Sequence, residues 1–232
     1  MNNSLRTVLF DLDGTLADTA PDLTYALNTL REQEGRPALP PAAIRPMISH
    51  GTKGLLQLGF DITPDDAAFG GLRQRLLALY RAHLTRETRL FPGMAEVLER
   101  IEQSGMNWGV VTNKPAFLTE PLIEQLGLTS RAACVVSGDT TPHSKPHPAP
   151  ILHACALAGS HAAQCLYIGD AQCDIEAGRR AGMKTLVAAF GYLAAEDQPA
   201  AWNADGIVER PAAILQWIAG YENAARRCAA DV

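Results

Sequence analysis

Residues Val8 to Leu16 read VLFDLDGTL, and the fold turns on how this stretch is taken. Val8, Leu9 and Phe10 make a short apolar run of the kind that ends a buried strand. Two acids come next at spacing two, Asp11 and Asp13, and Gly14 then lets the backbone turn away without a Cβ penalty. Side chains two apart on an extended chain point to the same side. Both carboxylates can therefore face one small volume at the C-terminal end of a strand, the edge where open α/β sheets bind their ligands. Carboxylates that close repel each other unless a cation or a shared proton intervenes. A hard divalent cation with oxygen ligands, Mg²⁺ above all, resolves the conflict. Taken alone, D-x-D-G also fits a surface turn after an edge strand, so the rest of the chain must decide.

Downstream of residue 90, strands and helices alternate. Met94, Val97, Leu98 and Ile101 keep helical spacing and stop at Gly105. Strands are expected at Trp108–Thr112, Ala133–Ser137, Cys165–Gly169 and Thr185–Ala188, with a further short one at Ile207–Val208. Helices are expected over residues 116–126, 148–158, 174–181 and 211–224. Glycines 127, 159 and 182 close the first three. This alternation is the mark of an α/β fold with a doubly wound parallel sheet. Right-handed crossovers bring every strand's C-terminal end to one edge.

Between about residues 19 and 88 no strand-like alternation occurs. Thr19-Ala-Pro-Asp22 reads as a helix start with a capping hydroxyl and an early proline. Leu23, Ala26, Leu27 and Leu30 continue it, and Gly35 and Pro37 stop it. Residues 41–48 predict a short helix with Ile44, Met47 and Ile48 inward. Ser49–Gly54 (SHGTKG) reads as a polar loop, and helix resumes at Leu55. Phe69, Leu72, Leu76, Leu79, Tyr80 and His83 mark one longer amphipathic helix. The expected organisation is a Rossmann-like core over residues 1–17 and 89–232, with an all-helical insertion over 18–88.

The residues directly after each core strand carry the chemistry. Asp11 and Asp13 come after the first; Thr112 and Asn113, in VVTNKP, after the second. Gly138 and Asp139 come after the third and lead to Lys145 in HSKPHP. Asp170 comes after the fourth, with Asp174 four residues on, in GDAQCD. Each has an ordinary structural alternative: Thr112 as a helix cap, Lys145 as a loop charge, Asp170 and Asp174 as acids at a helix N-terminus. Together they are an inventory for holding a phosphate and a metal.

D-x-D-G-T, a strand ending in Thr, Lys before Pro, and G-D-x-x-x-D, in that order, resemble the motif set of the haloacid dehalogenase-like phosphohydrolase superfamily. GDTTPHSKPHPAP and DGTLADTAPDL resemble its phosphoglycolate phosphatase branch. WGVVTNKP, ISHGTKGL and GYLAAEDQPAAWNADGIV are similar to N-acetylmuramic acid 6-phosphate phosphatases. Ala171 departs from the pattern, since Asp, Ser or Thr commonly stands directly after the motif-four Asp. The resemblance implies a phosphatase that hydrolyses a small phosphorylated metabolite through an aspartyl-phosphate. The lead substrate is 2-phosphoglycolate. N-acetylmuramic acid 6-phosphate is the alternative, and a β-phosphoglucomutase-type sugar-phosphate mutase a further one. It implies Asp11 as nucleophile, Asp13 as general acid and base, and Thr112 and Lys145 as catalytic donors. The Asn113 backbone would bind phosphate. Mg²⁺ would sit on Asp11, the Asp13 carbonyl, Asp170 and Asp174. The helical insertion would be a mobile cap, with His50, Thr52 and Lys53 as substrate contacts.

Composition narrows the partners. The chain has 232 residues, is 47% hydrophobic and carries a formal charge of -5, which suits a globular enzyme and argues against nucleic-acid or membrane-surface binding. No apolar run approaches the ~18 residues of a membrane span. MNNSLRT is too short and polar for a signal peptide, so a cytoplasmic protein, monomer or homodimer, is expected. Cys134, Cys155, Cys165, Cys173 and Cys228 form no C-x-x-C pair and read as reduced thiols. His143 and His147 suggest a zinc pair by spacing, but Pro142, Pro146 and Pro148 forbid a shared helix face. Tyr192, Trp202 and Trp217 are read as packing.

Overall fold

The computed structural model describes residues 4–230, and of these the side chains of 226 and 228–230 lie outside the description. The expectation for Cys228 therefore falls outside it. The central strands are β1 (Thr7–Phe10), β4 (Asn107–Val111), β5 (Cys134–Val136), β6 (Cys165–Gly169), β7 (Lys184–Ala188) and β8 (Gly206–Val208). They form one sheet in the order β5-β4-β1-β6-β7-β8, and every pair is parallel. Counting central strands alone, the order is 3-2-1-4-5-6, the doubly wound Rossmann-like arrangement, and its switch point falls between β1 and β6.

Apolar runs explain the middle of the sheet. Val8, Leu9, Phe10, Leu166, Tyr167 and Ile168 are all fully buried, as strands covered by helices on both faces must be. The covering helices are α5 (Met94–Gln103), α6 (Ala116–Gln125), α7 (Ala149–Leu157), α8 (Gln172–Arg180) and α9 (Ala212–Ala230). Register then does the positioning. Phe10 pairs with Val110 on one side and Ile168 on the other. Asp11, Thr112 and Asp170 leave the sheet within two residues of that rung and emerge at one edge.

Helices α1 (Ala20–Gln33), α2 (Pro41–Ile44), α3 (Gly51–Phe60) and α4 (Phe69–Arg81) separate two short strands. These strands, β2 (Ala17–Asp18) and β3 (Arg89–Leu90), pair antiparallel as a two-strand neck. Three local readings need correction here. Ser49–Gly54 is not a loop: Ser49 and His50 end a 3₁₀ turn over Arg45–His50, and Gly51–Gly54 open α3. Gly51, at φ 64°, absorbs the change of direction between the two, so a polar stretch with two glycines is still helical. The long helix ends at Arg81, before His83, which packs edge-on against Tyr25 at 4.9 Å. Thr19 does not cap α1. Its backbone is itself helical (φ -94°, ψ -3°), and its hydroxyl donates to Asp13 Oδ1 at 2.6 Å.

The cap of α1 comes from Tyr192 instead, whose phenolic oxygen accepts from Thr19 N at 2.6 Å and Ala20 N at 2.9 Å. Tyr192 also donates to Asp18 Oδ1 at 2.8 Å. Packing alone therefore understates its role, because an orphan helix terminus needs a polar partner, and this one comes from 173 residues away in sequence. Trp202 does pack, against Ile175 and Val187, and Trp217 stacks on Tyr221. Cys134, Cys155 and Cys165 are buried free thiols.

Asp22 ties the return of the insertion to its start. It is fully buried and accepts from Thr88 N at 2.8 Å, Thr88 Oγ1 at 2.7 Å and Glu87 N at 3.1 Å. Replacing it by Ala strands these donors, at ~1–3 kcal/mol for each one left unsatisfied. Asp22→Ala is expected to lower Tm by at least ~6 °C, measured by calorimetry, with Asp22→Asn intermediate because it keeps one acceptor oxygen.

Candidate active site

Lys145 stands at the centre of the sheet edge. Its side chain is 2% exposed, and Nζ lies 2.8 Å from Asp11 Oδ1, 2.6 Å from Asp174 Oδ1 and 2.8 Å from the Tyr167 hydroxyl. Burial presses the ammonium towards its neutral form, but Asp11 and Asp174 beside it prevail and hold it well above the ordinary lysine range. Asn113 positions this lysine: its side-chain amide donates to Lys145 O at 3.0 Å and accepts from Lys145 N at 2.9 Å. Asn113 thus acts on the lysine loop through its side chain, a role that spacing could not reveal.

Asp11, Asp170 and Asp174 each turn a carboxylate oxygen into one cluster, all within 4.8 Å of one another. Asp170 accepts from Thr15 Oγ1 at 3.0 Å, Ser49 Oγ at 3.0 Å and Tyr192 N at 2.9 Å. Ser49 belongs to the insertion, so this bond crosses from insertion to core. Space around Asp170 is reserved by glycine: Gly14 has φ 86°, and a Cβ there would overlap the Asp170 carboxylate. Burial, aided by its acidic neighbours, pushes Asp170 up to about 8. Burial likewise raises Asp11 to about 6, against the pull of Lys145. One lysine does not balance three buried acids. The donor set, all carboxylate oxygen with a charge deficit, fits a hard divalent ion such as Mg²⁺. Asp13 contributes no side-chain oxygen to this cluster, which leaves only its carbonyl for the expected metal set.

The Asp13 carboxylate is held elsewhere. Lys114 Nζ donates to both its oxygens, at 2.8 and 3.0 Å, and to the Tyr80 hydroxyl at 2.9 Å. Burial works against the Lys114 charge, yet Asp13 and Tyr80 raise its pKa overall. Lys114 sits inside VVTNKP beside Asn113, so a motif position with a lysine directly after it was the available signal. Tyr80, in contrast, looked like one more apolar rung of a helix. Thr112 is buried, and its Oγ1 accepts from Lys114 N at 3.2 Å, which leaves its O–H free to donate. It does not cap α6; Asp139 does, accepting from Ala116 N at 2.8 Å, and so leaves the acidic inventory of the edge.

A cavity of about 320 Å³ lies between core and insertion and is lined by both. Asp11, Asp13, Thr112, Asn113, Lys145 and Asp174 come from the core, and His50, Thr52, Lys53, Arg73 and Tyr80 from the insertion. Ala171 lines it too, and its N–H donates to Asp174 Oδ2 at 3.0 Å, so the departure from the motif leaves that acid oriented. Cys173 reaches the same wall, but burial and Asp174 push its thiol up to about 12, which keeps it protonated. The rings of His143 and His147 lie 4.3 Å apart, tilted by 34°, on the lysine loop, with His147 Nδ1 accepting from Ala149 N.

A sequence profile described as haloacid dehalogenase-like hydrolase matches residues 8–188. The chain belongs to this family. A phosphoglycolate phosphatase of Xanthomonas campestris pv. campestris (strain 8004) is 43% identical over 206 residues, 89% of this chain and 93% of that one. An N-acetylmuramic acid 6-phosphate phosphatase of Pseudomonas putida is 41% identical over 207 residues, again 89% and 93%. Among solved structures, a predicted phosphoglycolate phosphatase from Haemophilus somnus superposes with a TM-score of 0.81 at 29% identity, covering 91% of this chain and 97% of that one. In this family member, the floor of the cavity lies at the switch point where the doubly wound sheet places it. No helix among the described residues is long and apolar enough to cross a membrane.

Because Asp11 and Asp170 titrate above their ordinary value of 3.8, the metal-free fold favours their protonated forms. Their contribution to stability is full below about pH 4 and is lost as pH rises through about 6 and 8. In EDTA, Tm is expected to fall from about pH 5 to about pH 8, with a shallower fall for Asp170→Asn. Added Mg²⁺ should raise Tm of the unmutated protein most at the alkaline end, and equal stabilisation at both ends would contradict the charge deficit.

Proposed function

We propose that this chain is a cytoplasmic, Mg²⁺-dependent phosphomonoesterase that cleaves a small acidic phosphate ester through an aspartyl-phosphate on Asp11. The observation that carries the reading is the Asp11 carboxylate at the cavity floor, 2.8 Å from Lys145 Nζ and beside the acids Asp170 and Asp174. Asp11 attacks phosphorus, its new O–P bond forming as the ester O–P bond breaks. Asp13 gives a proton to the departing alkoxide, then takes one from the water that attacks the aspartyl-phosphate. That second step frees inorganic phosphate and restores Asp11. Lys145 and the Thr112 hydroxyl supply positive charge and a hydrogen-bond donor to the phosphoryl oxygens in a site largely shut from solvent. Asp11, Asp170, Asp174 and the Asp13 carbonyl would hold the Mg²⁺ ion, which would offset charge on the nucleophile and the phosphoryl group. Lys114 fixes Asp13, and Asn113 fixes Lys145.

Residues 18–88 act in this reading as a cap that closes over the ester, swinging on β2 and β3. The Ser49–Asp170 and Tyr80–Lys114 bonds hold the closed form and exclude water. 2-Phosphoglycolate is the first substrate to test, as the name of the Xanthomonas relative suggests. The cavity volume and its leucine-lined wall also admit a ring-sized leaving group, which favours N-acetylmuramic acid 6-phosphate as the second.

Asp11→Asn is expected to lower kcat by at least ~10⁴-fold and to abolish transfer of ³²P from substrate to protein in acid-quenched samples. Retained turnover with retained labelling would assign the nucleophile elsewhere. Asp13→Asn should slow esters of poor leaving groups by ~10²–10⁴-fold while Asp11 still takes up label.

A further inference from the structure

The cavity is lined by charged and apolar side chains together. Four lysine and arginine side chains line it, Lys53, Arg73, Lys114 and Lys145, beside His50. Two are already matched, Lys145 by Asp11 and Asp174 and Lys114 by Asp13. Lys53, in the first turn of α3, and Arg73, in α4, are exposed and have no hydrogen bond, ion pair or ring partner among the described residues. Nearby arginines are occupied: Arg75 binds Glu34 and Gln33, and Arg81 lies over Phe117. The acids that line the cavity are Asp11, Asp13 and Asp174, all from the core. The insertion thus brings two unmatched cations and no acid to its side of the cavity. Leu23, Ile48, Leu55, Leu77 and Leu118 also line the space. Such an arrangement gives the concave surface on the insertion side a positive potential.

We propose that Arg73 and Lys53 form an anion subsite that binds a carboxylate on the leaving group, and so make the enzyme selective for acidic phosphate esters. The proposal rests on the phosphatase reading above and adds the element that chooses the substrate. A guanidinium offers two parallel N–H donors that match a carboxylate, while the lysine adds a point charge. The leucines would receive the carbon skeleton that joins the carboxylate to the phosphate. Arg73 is then a specificity residue that touches the substrate away from the reacting atoms.

The test uses matched pairs of esters with Mg²⁺: 2-phosphoglycolate against ethyl phosphate, and N-acetylmuramic acid 6-phosphate against N-acetylglucosamine 6-phosphate. The first pair exchanges a carboxylate for a methyl group, and the second differs by the lactyl ether that carries the carboxylate. The readout is the ratio of kcat/KM for the acid to that for its neutral partner, in the unmutated protein, Arg73→Met, Lys53→Met and Arg73→Lys. Arg73→Met is expected to cut the ratio by ~30-fold in the preferred pair, mainly by raising KM for the acid. Lys53→Met should cut it less, and Arg73→Lys should recover part of it. An unchanged ratio in both pairs, or equal losses for acid and neutral ester, would overturn the subsite. Calorimetric binding of the same pairs to the Asp11→Asn protein separates the two proposals. If no ester is hydrolysed by the unmutated protein, the phosphatase reading fails. The subsite then stands only if the acid binds more tightly than its neutral partner and Arg73→Met removes that difference.

Discussion

Three buried carboxylates share a space that holds one cation of the protein's own, and the rest of the structure answers to that imbalance. Lys145 offsets part of the charge, with Nζ bonded to both Asp11 and Asp174. A lysine this deeply buried is tolerated because its partners are charged; unpaired, it would surrender its proton. The surrounding parts keep it in place: the Asn113 amide grips its backbone from both sides, and the Tyr167 hydroxyl meets its ammonium while donating to Val111 O at 2.8 Å. Asp170, left without a cation, takes three neutral donors instead. What remains unmatched is the room and the charge for a divalent ion, and a phosphoryl group is the natural third party to such a pair.

The insertion matters through a small number of buried polar ties. Tyr192 joins the neck, the start of α1 and, by its own N–H, the Asp170 carboxylate. Arg45 reaches Asp18 at 3.0 Å and lies over the Tyr192 ring, 4.7 Å from its centre. Asp22 secures the returning chain. Any swing of the four helices must turn about this knot, so the position of the insertion and the surroundings of Asp170 are mechanically linked. The same four helices bring Lys53, Arg73 and Tyr80 over the acids of the core. In the proposed reading the core supplies the chemistry and the insertion the selection.

Much of this was legible from residue order. Apolar runs, glycine stops and polar residues directly after strands specify a doubly wound sheet, and the strand ends carry Asp11, Thr112 and Asp170, with Lys145 on the loop after β5, because a parallel sheet collects its C-terminal ends at one edge. Local propensity determined the alternation of the core and most of the helices of the insertion, but not the helical turn over Ser49–Gly54. What it left undetermined were pairings across long separations. Lys114 meeting Asp13 and Tyr80, Tyr192 capping α1, Ser49 reaching Asp170, and Asp139 serving α6 rather than the site all join residues more than 20 apart. A side chain's pattern along the chain reports which face it lies on, whereas its polar partner depends on which elements pack together and at what register. That is a property of the tertiary structure alone, and it decided which of the charges left by the sequence are satisfied within the protein and which are left unpaired.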